Sequence, residues 1–158
     1  MDEEELTATF ARFGARDPEQ WAGSEIREGI PQLARFLFLK GVWQEVVDAG
    51  DPSWIDRVVA NTPEDSDAPF AGTAHALRRL LEAGADRQDL HEVVRGMQAE
   101  MIFGLCYLLD DPGAVEGNDS VDWGLFELDE DDQPARGIGG LHESVLETDP
   151  TGREMRPG

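Results

Sequence analysis

From Leu6 to Leu109 the apolar residues of this chain recur at spacings of three and four, which commits most of its length to amphipathic helices. Leu6, Phe10 and Phe13 place one apolar face on a helix over 3–13. Pro18 opens a short turn through Trp21. Leu33, Phe36, Leu37, Leu39, Val42, Trp43, Val46 and Val47 cover more than one face of a helix over 31–50. That pattern suits a helix packed on several sides, with Gly50 just past its end. Trp54, Ile55, Val58 and Val59 mark a shorter helix over 52–60, and 62–68 reads as a polar loop. Phe70, Ala74, Leu77 and Leu81 define the next amphipathic helix, which ends at Gly84. Asp86 caps the last one, with Val94, Met97, Met101, Leu105 and Leu108 as its inward stripe. Its second half, 101–109, is apolar nearly all round and is expected at the centre of the core.

Five dipeptides punctuate this pattern: Asp17-Pro18, Asp51-Pro52, Thr62-Pro63, Asp111-Pro112 and Asp149-Pro150. Each offers an oxygen that can satisfy a free N–H, followed by a proline that lacks one, so they read as helix starts or turns. After Asp110 the texture changes. Residues 111–120 are loop-like, 121–128 suit a strand, 129–134 a turn and 136–138 a returning strand. Residues 141–148 read as a last helical turn or a docked extended segment, and the tail from Asp149 as irregular. The expected fold is mainly α: a single-domain bundle of about five helices with a small C-terminal β-hairpin or extended segment. Residues 1–110 form the helical core, and 111–158 supply an acidic loop, hairpin and tail packed on the same domain.

Charge limits the partners. The chain carries a formal charge of −21, its only lysine is Lys40, and no Lys or Arg stands between Arg95 and Arg136. Such a surface repels nucleic acid, phosphates and anionic membrane and attracts basic proteins or cations. Adaptation to salt is the alternative source of the acidity. No apolar run approaches the ~20 residues of a membrane span. The acidic start, Asp2-Glu3-Glu4-Glu5, is unlike a secretory leader, and the single Cys106 excludes an internal disulfide. These features predict a soluble, cytoplasmic protein of bacterial type.

The sharpest candidate site is Asp129, Glu130, Asp131 and Asp132, four acids in a row on a turn, with Trp123 and Phe126 as aromatic anchors beside them. Burial statistics favour instead that the strand docks both rings onto the helices. An EF-hand counted from Asp129 puts Pro134 at position six and Gly140 at position twelve, where Gly and Glu are required, so none is expected. His75, His91 and His142 lack metal-ligand spacing; with Glu92 and Glu100 they can contribute only to a site assembled in three dimensions. Gly137-Ile138-Gly139-Gly140 lacks the Lys-Ser/Thr of a phosphate loop and reads as a flexible bend. Cys106 has no basic neighbour in sequence and reads as core, and Ser144 lacks a nucleophile elbow. No catalytic residue, metal or cofactor is assigned. The leading expectation is a non-catalytic acidic protein that engages a basic protein partner, as an immunity or inhibitor-type protein does. The alternatives are an enzyme with a metal or acid/base site built from dispersed His and Glu residues, and a helical homo-oligomeric adaptor whose acidity serves solubility only.

Overall fold

Asp2 starts the first helix with a reciprocal capping box. Its carboxylate accepts the Glu5 N–H at 2.9 Å, and the Glu5 carboxylate accepts the Asp2 N–H at 3.1 Å. The helix, α1 (Glu3–Phe13), ends in a left-handed Gly14. This computed structural model describes residues 1–156, and among them it contains seven α-helices and one two-stranded antiparallel sheet near the C-terminus. The mainly α architecture with a C-terminal hairpin is therefore as expected. The helix count exceeds five because the turn expected at Pro18 continues into a full helix, α2 (Pro18–Glu28), and 141–144 forms one helical turn. Past Trp21 the only large apolar residue of α2 is Ile26, which is 47% exposed, so its last turns carry little apolar period to announce them.

The chain divides into two compact units, one of residues 1–45 together with the chain from Met101 onward, the other Val46–Glu100. In the first, α3 (Gln32–Gln44) joins α1 and α2. Phe10, Trp21 and Phe36, one from each helix, meet with ring centroids 5.6–6.0 Å apart in stacked and edge-on pairs. Each pair adds roughly 0.5–1.5 kcal/mol beyond the area it buries. Leu6 and Ala22 complete this core. The helix expected to run to Gly50 stops at Gln44, and the Val47 N–H goes to the Gln98 side chain at 2.9 Å instead of a preceding helical turn.

The second unit holds α4 (Trp54–Asn61), α5 (Ala71–Glu82) and the first part of α6 (Arg87–Asp110). Trp54, Ile55 and Leu77 form its core, with Val58, Leu81 and Val94 packed against them. Asp86 caps α6 as expected, accepting the Gln88 and Asp89 N–H groups at 2.7 and 3.2 Å. Thr62-Pro63 is not a helix start; α5 begins at Ala71, after Phe70, which holds a left-handed φ of 68°. Phe70 is 93% exposed and does not join the stripe of Ala74 and Leu77. The α6 stripe is corrected likewise: Met97, Met101, Leu105 and Leu108 face solvent, while Ala99, Ile102 and Cys106 point inward.

From Met101 onward α6 belongs to the first unit. A short 3-10 turn (Pro112–Ala114) leads to β1 (Leu125–Leu128), β2 (Pro134–Ile138) and α7 (Leu141–Ser144). Leu141 and Val145 are fully buried, which anchors the segment after the hairpin. The irregular tail expected from Asp149 is a closed loop as far as Arg156; Pro157 and Gly158 lie outside the described residues.

Candidate functional site

The hairpin pairs Leu125 with Ile138, Phe126 with Gly137 and Leu128 with Pro134, with an irregularity between Phe126 and Leu128. Its tip is built by Asp129. The Asp129 N–H donates to the Gln133 carbonyl at 2.9 Å, and the Asp129 carboxylate accepts the N–H groups of Asp131 and Gln133, both at 2.9 Å. Asp132 takes a left-handed φ of 57° to close the turn. All four tip acids are exposed, and among the described residues none forms an ion pair with Arg, Lys or His. Glu127, on the strand, is different: Arg136 holds it through Nε at 2.6 Å and through Nη2 at 3.0 Å, and the same Nη2 reaches Glu25 of α2 at 3.0 Å. Hydrogen bonds to Glu127, and then to Glu25, raise the Arg136 guanidinium further above its ordinary range.

The two aromatic residues stand on the surface. Trp123 is 38% and Phe126 47% exposed, so neither ring is fully covered. The Trp123 indole N–H donates to the Leu108 carbonyl at 2.9 Å and ties the segment before the hairpin to the end of α6. The Phe126 ring lies beside Gly137 of the opposite strand, where a Cβ would make an ordinary contact at 3.7 Å, and approaches Gly124 more closely, where a Cβ would sit 3.2 Å from it. Within the same unit the outer face of α6 adds Met101 at 67% and Leu105 at 54% exposure, with Tyr107 and Leu108 also exposed.

The histidines separate. His142 packs edge-on against Phe103 and Tyr107, and its Nδ1 lies 2.6 Å from the Asp110 carboxylate. The same carboxylate oxygen accepts the His142 backbone N–H at 2.9 Å, so Asp110 pins the start of α7. That pair resembles a base with its orienting acid, but the buried Ser144 makes no bond to His142. His91 is buried in the second unit, where its Nδ1 accepts the Trp54 indole N–H at 2.9 Å. Glu92 and Glu100 are exposed. Among the described residues no group of three or more His, Cys, Asp or Glu side chains is placed to hold a metal ion. Cys106 is buried, and desolvation, helped by nearby Asp110, pushes its thiol up to about 11, which suppresses the thiolate. No described helix is long and apolar enough to cross a membrane.

Sequence reasoning missed a cavity of about 430 Å³ in the first unit, walled by Trp21, Phe36 and Trp43 and closed by the loop after α7. Asp149, 1% exposed, organises that loop. Its two oxygens accept the Thr151 N–H at 3.1 Å, the Thr151 hydroxyl at 2.6 Å and the Met155 N–H at 3.1 Å. Glu154 and Met155 take left-handed φ values of 53° and 58° in this loop. Arg16 clamps it from the other side, donating to the carbonyls of Glu147 and Gly152. Gly152 has φ 72°, and a Cβ on it would stand 2.7 Å from the Arg16 guanidinium, so both backbone and space call for glycine. The only sequence signal was Asp149-Pro150-Thr151-Gly152, a turn-forming run.

Compared with protein families, curated proteins and solved structures, the chain matches none of them.

Proposed function

We propose that this is a non-catalytic binding protein that engages a basic protein partner through the hairpin and the end of α6. The observation that carries the reading is the juxtaposition, in one unit, of four acids without ion-pair partners and two exposed aromatic rings next to them in the chain. Exposed Met101, Leu105 and Leu108 extend the apolar contact area on the helix to which Trp123 is tied. Apolar anchors beside charge are what an interface uses: the rings supply affinity, and the acids steer a basic partner and exclude an acidic one. Inhibition of a basic enzyme or toxin is the form of this function that needs no chemistry from the chain itself.

The test is binding of a synthetic amphipathic Lys/Leu peptide, followed by calorimetry across a salt series. Replacing Asp129, Glu130, Asp131 and Asp132 together by Lys should weaken binding at least about tenfold, and raising salt should weaken the native complex steeply. Phe126→Ser should weaken it at every salt concentration. An unchanged affinity in both variants refutes the site.

The apolar outer face of α6 favours a second reading, self-association. The salt response separates the two. Two chains each carrying −21 repel, so a homo-oligomer should tighten as salt rises, the opposite of capture of a basic partner. Sedimentation of the pure protein at low and high salt reads the difference.

A further inference from the structure

The hairpin has one edge against the helices and one edge open. β2 lies against α3, and Arg136 ties it to Glu25 of α2, whereas β1 has no comparable neighbour besides β2 among the described elements. The direction of the main-chain groups on β1 follows from the tip. The Asp129 N–H donates across the ladder to the Gln133 carbonyl. One residue earlier the direction reverses, so the N–H and C=O of Leu128 point away from β2. Pro134, opposite Leu128, has no N–H to give, which fits a pair that does not bond across the ladder. Ala135 and Arg136 stand opposite the single Glu127, so the extra residue of the irregularity is on β2 and β1 keeps its alternation. The N–H and C=O of Phe126 therefore point outward as well. Among the described residues, no hydrogen bond from outside the hairpin reaches the main chain of 125–128. Such an edge is a template for a further strand, and β1 carries neither the lysine nor the proline that ordinarily blunts one. Phe126 and Leu128 also expose their side chains on one face of it. Asp122 precedes the strand and Asp129–Asp132 follow it, all exposed and, among the described residues, without ion-pair partners.

We propose, resting on the binding function above, that the basic partner docks by adding an extended segment to the free edge of β1 as a third strand. Acids at both ends of the edge select a segment with Lys or Arg near both of its own ends. Main-chain bonds to Phe126 and Leu128 hold the strand, and their exposed side chains take its alternate apolar residues. The acids set the register and exclude an acidic strand. A two-stranded hairpin is marginal by itself, so the added strand also stiffens the one it joins.

The experiment titrates the intact protein with two peptides: acetyl-Lys-Lys-Val-Thr-Val-Thr-Lys-Lys-amide, and the same peptide N-methylated at each Val and Thr amide. Methylation keeps every charge and side chain but removes the strand's donors and crowds its edge. By calorimetry the unmodified peptide should bind at least about tenfold more tightly than the methylated one. Its binding should also slow amide exchange at Phe126 and Leu128 by at least about tenfold, read by NMR. Equal affinity of the two peptides overturns strand addition and leaves the capture of basic partners standing. Binding of the unmodified peptide without slowed exchange at Phe126 and Leu128 overturns it likewise. If neither peptide binds, both readings fall.

Discussion

Replacing Trp54 by Phe tests whether a single buried hydrogen bond stabilises the second unit. Trp54 Nε1 donates to His91 Nδ1 at 2.9 Å, and both residues are buried. Because Nδ1 accepts, the ring proton is on Nε2, and that nitrogen has no partner. Trp54→Phe therefore leaves His91 with neither nitrogen satisfied. The stranded acceptor costs about 1–3 kcal/mol. The lost part of the indole adds about 1 kcal/mol of burial. The expected total is about 2–4 kcal/mol, measured by urea unfolding with far-UV circular dichroism, together with loss of amide protection within 46–100. His91→Leu alone strands the Trp54 N–H and should cost a similar amount. The double variant has no stranded polar group, so it should be more stable than the sum of the single losses predicts, by about 1–3 kcal/mol. Additivity within about 0.5 kcal/mol would show that packing alone sets the cost and would refute the argument.

Two further outcomes follow from single residues. Phe70→Gly should stabilise the protein by roughly 0.5–1 kcal/mol, since a left-handed non-glycine residue costs about 1–2 kcal/mol and the added chain entropy of glycine recovers only part of it; a lower urea midpoint would contradict this. Cys106 should titrate near 11 when folded and near 9 when unfolded, so the folded state holds the proton more tightly. Stability should thus be fully present below pH ~9 and fall as pH rises from ~9 to ~11. Cys106→Ala, compared with wild type through that window, isolates the contribution, and an identical pH slope would exclude it.

Several elements were legible from local chemistry. The helix over 3–13 was legible because Leu6, Phe10 and Phe13 recur at helical spacing, and the capping box of Asp2 and Glu5 and the left-handed Gly14 hold those ends in the structure. The hairpin was legible because an acidic turn separates two short runs of strand-forming residues. The exposed tip of Asp129–Asp132 needed only that turn. The role of Asp129 as the acceptor that shapes it needed coordinates.

The sequence by itself determined the span of α1, the start of α6 and that the charge is overwhelmingly acidic, because caps, periodicity and side-chain charge act within a few residues. Tertiary structure decided which side of α6 is inside. A segment that is apolar nearly all round has no preferred face, so packing selects one. It selected Ala99, Ile102 and Cys106 and left Met101 and Leu105 in water. It also decided the cavity, whose walls come from 13–43 and 147–154, segments too far apart in the chain for any local pattern to report that they meet.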